Sequence, residues 1–353
     1  MKPFVYDALP GRVVFGAGTL ATLPAELDRL GAKRALLLST PGRADAARRV
    51  ADILGARAAG VYDKAVMHVP VEVAEDARRA AAEAGADCCV AVGGGSTTGL
   101  GKAIALTSGM PIVAVPTTYS GSEMTTVYGL TEGGLKRTAR DPRVLPKTVI
   151  YDPELTLGLP PGVSAASGMN AIAHCVEALY AQDGNPITSL MAEEGIRALA
   201  GALPQIMKNG NDMDARSDAL YGAWLAGAAL AVAGVALHHK LCHTLGGSFN
   251  LPHAETHSIV LPHSARYNRD AAPEAMARVA RALGADDAPQ GLYDLELKLN
   301  LKMKLSDLGL READLERAAK IALERPYPNP RPIEYEGVLA LLRAAYEGRR
   351  PEA

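Results

Sequence analysis

Apolar runs that alternate with helical stretches constrain the first half of this chain more than any other feature. Residues 88–92 form a run typical of a buried strand, and the glycine-rich turn 93–96 follows it. A helical stretch at 99–107 and a second apolar run at 111–115 come next. Strand, glycine-rich turn, helix and strand make a βαβ unit, which requires a parallel sheet with helices on both faces.

The same alternation extends from the amino terminus to about residue 155. It predicts further strands at residues 12–15, 34–39, 59–61 and 148–151, and helices at 20–30, 44–54 and 74–84. Beyond residue 160 the pattern predicts only helices, at 163–181, 186–203, 215–240, 273–283, 291–299, 312–323 and 335–346. A chain of 353 residues is too long for one typical core. The sequence therefore predicts an α/β, Rossmann-like parallel-sheet domain over residues 1–157 and an all-α domain over residues 158–353.

Composition narrows the class of partner. The 37 basic and 39 acidic residues nearly balance and form no basic stripe, so we expect no nucleic-acid partner and favour a small molecule. Four cysteines without a CxxC pair suit a reducing compartment, and the first residues lack a secretory signal pattern, so we expect a cytoplasmic protein.

Residues 219–237 carry no charge and are long enough to span a bilayer. They are mostly alanine and glycine, which favours a buried helix over a membrane span.

Two neighbouring strand ends carry polar, glycine-rich loops. Gly94, Gly95 and Ser96 follow the strand at 88–92, and the cluster 117–123 follows the strand at 111–115. Glycines let a backbone approach an anion closely, and the helix that follows offers free N–H groups. The glycine triplet alone could equally be a tight turn. Both loops together predict a nucleotide crevice.

The end of the strand at 34–39 bears on the choice of nucleotide. An acidic residue there would bind the ribose hydroxyls and repel a 2′-phosphate. This chain has Thr40 at that place, with Arg43 nearby. We therefore expect use of both NADH and NADPH.

Histidines concentrate between residues 237 and 253, which hold four of the eight in the chain. If the helix predicted from residue 215 continues by a turn, His239 and His243 are spaced i, i+4 and project from one face. Asn170 and His174 form a second pair with the same spacing, and His253 would come from the loop that follows. Two such helices and a loop histidine can surround a metal ion or a reacting carbonyl. Surface or satisfied core histidines are the alternative interpretation.

Several of these motifs, in this order and spacing, resemble the iron-containing (group III) alcohol dehydrogenases over essentially the whole chain. The matching stretches are residues 93–96, 116–118, 121–123, 152–155, 168–174 and 239–253. Residues 95–102, 116–123 and 167–171 are most similar to the maleylacetate reductases of that family. This resemblance implies NAD(P)H-dependent reduction of the carbon–carbon double bond of maleylacetate, or of a substituted maleylacetate, to a 3-oxoadipate in the breakdown of aromatic compounds.

The resemblance also implies roles for individual residues. Cofactor contacts fall on Gly94, Gly95, Ser96, Thr117, Thr118, Ser120, Thr125 and Lys136. The metal-ligand positions fall on Asn170, His174, His239 and His253. The family has aspartate where this chain has Asn170, and a neutral amide is a poor substitute for a carboxylate. We therefore expect a bound iron or zinc ion to be weakly held or lost. The family also has aspartate where this chain has Gly99.

His243 is the expected general acid or electrophile, with His253 as a further catalytic group, because imidazole can donate a proton near neutral pH. A dicarboxylate substrate needs a basic partner, for which Arg137, Arg140 and Arg331 are candidates. Residues 136–140 could also be a solvated loop. A homodimer is expected. The alternatives are a metal-dependent alcohol or glycerol dehydrogenase, a lyase similar to 3-dehydroquinate synthase, and a non-catalytic nucleotide-binding module.

Overall fold

The computed structural model describes residues 4, 6, 8, 9, 11–133 and 135–352, and of Leu135 and Lys136 it describes the backbone alone. The chain forms two compact units. The α/β unit is Leu9–Leu159, and the helical unit is Pro160–Ala353 together with the described residues before Leu9.

The α/β unit is built on a six-stranded sheet with the order β1-β8-β5-β4-β2-β3, in which every pairing is parallel. Its strands are β1 (Arg12–Phe15), β2 (Ala35–Leu38), β3 (Ala58–Tyr62), β4 (Cys88–Gly93), β5 (Ile112–Pro116) and β8 (Thr148–Tyr151). Its helices are α1 (Leu23–Leu30), α2 (Ala44–Leu54), α3 (Val71–Glu83) and α4 (Gly95–Ser108). A hairpin of β6 (Val127–Glu132) and β7 (Leu135–Arg140) stands apart from this sheet.

Buried residues alternate between the two faces of the sheet. Leu37 and Val90 point into a core that includes Leu27 and Val50 from α1 and α2. Leu36, next to Leu37, joins a core on the other face with residues of α3 and α4. Covering both faces with helices explains why the strands are continuous apolar runs, and the predicted doubly covered parallel sheet is confirmed. Residues 135–140, for which a solvated loop was one interpretation, form a strand.

The helical unit contains nine helices of at least ten residues within its described part. They are α5 (Pro161–Tyr180), α6 (Pro186–Lys208), α7 (Met213–Val232), α8 (Leu237–Phe249), α9 (His253–Asn268), α10 (Pro273–Leu283), α11 (Ala288–Lys298), α12 (Leu315–Glu324) and α13 (Tyr335–Glu347). Small residues let α5, α6 and α7 come close. A Cβ added at Gly168 would lie 2.6 Å from the Leu203 side chain, and one at Gly222 would lie 2.7 Å from Leu199.

The uncharged stretch 219–237 lies in α7, in the segment that follows it and in the first residue of α8. Ala219, Ala223 and Ala226 of α7 are fully buried. Among the described residues, no single helix is long and apolar enough to cross a bilayer. One sharply bent pair, α7 with α8, meets the length and composition test when the two helices are taken together.

Two predictions for the helical unit are wrong. The helix predicted at 215–240 breaks after Val232, and α8 leaves at 98° to α7. Acceptors from α5 and the turn after it stabilise the break, because Gly234 N donates to Asp183 Oδ1 at 2.7 Å and Ala236 N to Glu177 Oε2 at 2.9 Å. His253, expected in a loop, is the first residue of α9. Prolines at both 252 and 262 hid this helix from the sequence pattern.

Candidate active site

The glycine-rich turn joins β4 to α4. Gly94 is the N-cap of α4, and none of the described side chains caps the helix. The first N–H groups of a helix have no intrahelical acceptor, so those of α4 face the turn. An added Cβ would lie 2.6 Å from Thr118 Oγ1 at Gly94 and 3.0 Å from Ser120 Oγ at Gly95. Glycine therefore lets the loop after β5 approach the turn. The result is a cradle of free N–H groups and hydroxyls that suits an anion such as a pyrophosphate.

The remaining predicted cofactor residues include some that can face a ligand and some that support the loop after β5. Ser96 lies in the first turn of α4, and Thr117 is buried with its N–H donating to Gly93 O at 3.1 Å. The Thr125 hydroxyl is buried, donates to Ser122 O and accepts from Val127 N, so it supports the loop. The side chain of Lys136 lies outside the described residues.

Sequence reasoning missed Lys102, which links α4 to the loop after β5. Its fully buried Nζ donates to Ser122 O at 2.7 Å, Thr125 Oγ1 at 3.0 Å and Val127 O at 2.6 Å. Burial lowers the pKa of Lys102 to about 7, against a raising effect of the nearby Glu123 carboxylate. The signal in the sequence was a single lysine in the apolar second half of α4. Lys102 holds in place the same loop that carries Thr118 and Ser120.

The three arginines predicted to bind substrate are divided between the two units. Arg137 and Arg140 are exposed on β7 of the α/β unit. Arg331 belongs to the helical unit, where its guanidinium lies 4.2 Å from the centroid of the Tyr267 ring. Among the three, only Arg331 shares a unit with the histidines.

The predicted histidines form one cluster in the helical unit, contributed by α5, α8 and α9. His174 and His239 are stacked with ring centroids 5.0 Å apart, and His243 lies 5.9 Å from His239. His253 lies 4.4 Å from His257, whose ring is also 4.8 Å from that of His239. The break between α7 and α8 turns α8 back towards α5. This turn brings residues 65 positions apart into contact.

Glu177 organises the centre of this cluster and was missed as a functional residue. Its buried carboxylate accepts from Ala236 N at 2.9 Å, from His238 N at 2.8 Å and from His239 Nδ1 at 2.5 Å. The negative charge thus lies at the amino terminus of α8, where the helix dipole favours it. Donation from Nδ1 leaves the lone pair of His239 on Nε2. The sequence signal was the i, i+3 spacing of His174 and Glu177.

A second chain of hydrogen bonds fixes His238 and His257. Ser264 Oγ donates to Leu261 O at 2.9 Å, so His238 Nδ1 must donate to Ser264 Oγ, 3.1 Å away. His238 Nε2 then accepts from His257 Nδ1 at 2.9 Å. Burial, and then the neighbouring histidines, hold the pKa of both rings well below the usual value, so both are neutral. The i, i+4 spacing of His253 and His257 was an available but unused signal.

Four buried polar atoms of the cluster find no hydrogen-bond partner in the part of the chain that the structure describes. They are Asn170 Oδ1, His174 Nδ1, His239 Nε2 and His257 Nε2. Burial holds the pKa of His174 well below its usual value. Orphaned polar atoms in a buried site are expected to meet a ligand or ordered water.

His243 lies at the edge of the cluster. It is half-buried, and its Nδ1 is 3.2 Å from the Tyr327 hydroxyl. Lys240, one turn earlier on α8, holds its Nζ 5.7 Å from the Tyr327 ring centroid. Of the α8 histidines, this one is the most accessible to a small molecule.

The donor set does not suit a tightly held divalent metal ion. Of the four predicted ligand positions, none provides a carboxylate, and Asn170 offers a neutral amide oxygen. The described His, Cys, Asp and Glu side chains bring one group of three ligand atoms within 4.8 Å, that of His238, His239 and His257. His238 and His257 are hydrogen-bonded to each other. A metal ion would therefore have to displace a bond that fixes two of the three rings.

Known proteins match both units. The sequence profile described as "Iron-containing alcohol dehydrogenase" matches residues 10–153, and that described as "Fe-containing alcohol dehydrogenase family, C-terminal" matches residues 164–346. The maleylacetate reductase of Burkholderia cepacia is 58% identical over 99% of this chain and 100% of its own length. That of Sphingobium indicum is 56% identical over 99% of each chain.

A solved structure agrees with these matches. The crystal structure of maleylacetate reductase from Agrobacterium tumefaciens superimposes with a TM-score of 0.96 at 52% identity, covering 99% of this chain and 100% of that one. The expected family resemblance is confirmed over the whole chain. The protein belongs to the iron-containing alcohol dehydrogenase family, within which it groups with the maleylacetate reductases.

Proposed function

We propose that this protein uses NADH or NADPH to reduce the carbon–carbon double bond of maleylacetate, giving 3-oxoadipate in aromatic-compound breakdown. The observation that carries the proposal is the buried, histidine-rich cluster around Glu177, in a chain 58% identical to a maleylacetate reductase. Substituted maleylacetates belong to the same substrate class.

The cofactor's pyrophosphate would bind the cradle of Gly94, Gly95 and Ser96. The free N–H groups at the start of α4 donate to its oxygens, and the hydroxyls of Thr118 and Ser120 lie beside the same turn. When bound, the nicotinamide supplies the hydride. Because Gly94 and Gly95 have no side chains, the pyrophosphate can approach the backbone of the turn. Lys102 keeps the loop of Thr118 and Ser120 in register with α4.

The helical unit would supply the proton and stabilise negative charge on the substrate. Hydride addition at the carbon β to the ketone places charge on the ketone oxygen as an enolate, which then takes a proton at the carbon α to the ketone. A hydrogen-bond donor near that oxygen lowers the barrier. His243 is the proposed donor because it is half-buried and its ring is positioned by Tyr327. His253 is proposed to act beside it, and Arg331 to bind a substrate carboxylate from the same unit.

We propose that this reaction does not depend on a tightly bound metal ion. Asn170 removes the anionic member from the predicted ligand set, and the Glu177 carboxylate is already bonded to three N–H groups. Polarisation of the ketone therefore falls to histidine donors. A cytoplasmic homodimer remains our expectation for location and assembly, and sedimentation analysis of the purified protein tests the assembly.

Product analysis tests the proposed reaction. Reduction of the double bond and reduction of the ketone give isomers of equal mass, which NMR distinguishes. With a nicotinamide cofactor deuterated at the transferred position, we expect 3-oxoadipate carrying deuterium at the carbon β to the ketone. A hydroxy acid with deuterium at the carbinol carbon, or no oxidation of either cofactor, would overturn the proposal.

A further inference from the structure

An unusual backbone turn lies between β3 and α3. His68 and Val69 both have positive φ, of 66° and 46°. The left-handed region is rarely occupied by any residue other than glycine, and valine, with its branched Cβ, is a marked outlier there. Such strain persists only where the surrounding structure imposes it, and it is a reason to look for function.

Contacts from two elements hold this turn. Thr131 of β6 donates its hydroxyl to His68 O at 2.8 Å and its N–H to Val69 O at 3.1 Å. On the other side, the Val69 side chain is buried against α4, where a Cβ added at Gly99 would lie 2.9 Å from Val69 Cγ2. A valine side chain has one torsion angle and little freedom to move aside. Gly99 is therefore required for this packing.

Gly99 is itself locally unfavourable. Glycine in a helix interior destabilises the helix relative to alanine, and Gly99 is the fifth residue of α4. Two unfavourable features, a left-handed valine and a mid-helix glycine, are thus in direct contact. Gly99 lies one turn after Gly95, on the same face of α4 as the phosphate cradle.

The turn lies on the side of the sheet where we expect the adenosine half of the cofactor. The segment leaving β3 passes the end of β2, where Ala65 N donates to Ser39 O at 3.0 Å, before it reaches Val69. The turn therefore borders the carboxyl ends of β3 and β2. In nucleotide-binding sheets a residue at a strand end near the glycine-rich turn contacts the ribose of the adenosine half, and Thr40, after β2, is the residue expected at that place. Val66 and Met67, just before the turn, are exposed by 39% and 53% and offer an apolar edge there.

We propose that Gly99 and the left-handed turn at His68 and Val69 form one positioning element that determines affinity for the adenosine half of the cofactor. Gly99 admits the Val69 side chain, Val69 fixes the turn, and the turn places Val66 and Met67 against the adenosine. Gly99 acts through Val69 and is a positioning residue. The inference rests on the proposed function only in taking a nicotinamide dinucleotide as the ligand.

The test compares two alanine substitutions in one helix. Gly99→Ala should weaken binding of ADP-ribose, measured by calorimetry, and raise the KM for NADH, each by at least about fivefold, with kcat within about twofold of wild type. Gly101→Ala is the matched control. A Cβ at Gly101 meets Ile112 and Leu38 at 3.5 Å, which is ordinary contact, so both constants should stay within about twofold.

A double-mutant cycle isolates the contact. Once Val69 is alanine, adding Gly99→Ala should change ADP-ribose affinity by less than about twofold, because the clashing methyl group is gone. Met67→Ser, which leaves the turn intact, should weaken ADP-ribose binding even if Gly99→Ala folds poorly. Equal affinities of Gly99→Ala and Gly101→Ala, or an unaffected Met67→Ser, would overturn the inference. Wild-type protein that binds ADP-ribose but does not reduce maleylacetate would refute the proposed function and leave this inference standing.

Discussion

Replacing Glu177 with glutamine tests whether one buried carboxylate organises the histidine cluster. The carboxylate accepts three hydrogen bonds, two from the backbone at the start of α8 and one from His239 Nδ1. Glutamine keeps one oxygen but turns an NH₂ group towards an N–H donor. In the place of Oε1 the NH₂ group faces the His238 N–H, and in the place of Oε2 it faces the Ala236 N–H and His239 Nδ1.

The size of the effect follows from these bonds. A hydrogen bond to a charged group contributes about 1.5–3 kcal/mol. In Glu177→Gln at least one of the three bonds is lost, and the remaining ones go to a neutral acceptor. We expect Glu177→Gln to lower the free energy of unfolding by about 3 kcal/mol. For a unit of this size, that corresponds to a fall in Tm of roughly 6–12 °C, measured by differential scanning calorimetry.

Glu296→Gln is the matched control in the same unit. Glu296 is 1% exposed, its Oε1 has no partner among the described residues, and burial raises its pKa well above the usual value. The raised pKa favours the protonated, neutral carboxyl, so a neutral amide should change the free energy of unfolding by less than about 1 kcal/mol. If the two variants unfold at the same temperature, the argument that Glu177 is an ionised anchor is wrong.

Three further substitutions test other parts of the account. His243→Ala should lower kcat by about 10²- to 10⁴-fold with ADP-ribose affinity nearly unchanged, and unchanged turnover would remove His243 from the proton-donor role. Asn170→Asp adds a carboxylate to the cluster. At a Zn²⁺ or Fe²⁺ concentration a hundred times the Kd of this variant, the metal ion should stabilise the variant by about 2.7 kcal/mol and the wild type much less. Equal stabilisation would show that Asn170 does not limit metal binding. Lys102→Met should raise the KM for NADH. Because burial lowers the folded-state pKa of Lys102 to about 7, from 10.5 in the unfolded chain, the stability of wild type relative to Lys102→Met should rise from about pH 7 to about pH 10; urea titrations that show no such rise would contradict the assignment.

The features of the α/β unit that the sequence predicted are those set by local pattern. Strands such as β1 and β8 are short apolar runs that end in glycine or a polar turn, and their predicted limits match the structure. In β8, burial on both faces gives a continuous run, which is a strong signal. β7, a basic and exposed strand, carries no such signal and is stabilised by pairing with β6.

The sequence predicted the histidines of the candidate site, but not the hydrogen bonds that position them. The i, i+4 spacings placed His174, His239 and His243 correctly on helices, because that spacing survives wherever the helix begins. The break before α8 depends on acceptors from Glu177 and Asp183, which lie about 50 to 60 residues earlier, and no local pattern contains them. The same is true of Lys102, whose three acceptors lie more than 19 residues away.

The most direct test of the central claim is the turnover of metal-depleted enzyme. Wild-type protein would be dialysed against a strong chelator, its metal content measured by elemental analysis, and NADH oxidation with maleylacetate followed by absorbance. A histidine-based reductase should keep its full kcat with far less than one metal ion per chain. Loss of activity that Fe²⁺ or Zn²⁺ restores would contradict the account and show that a metal ion performs the chemistry assigned here to the histidines.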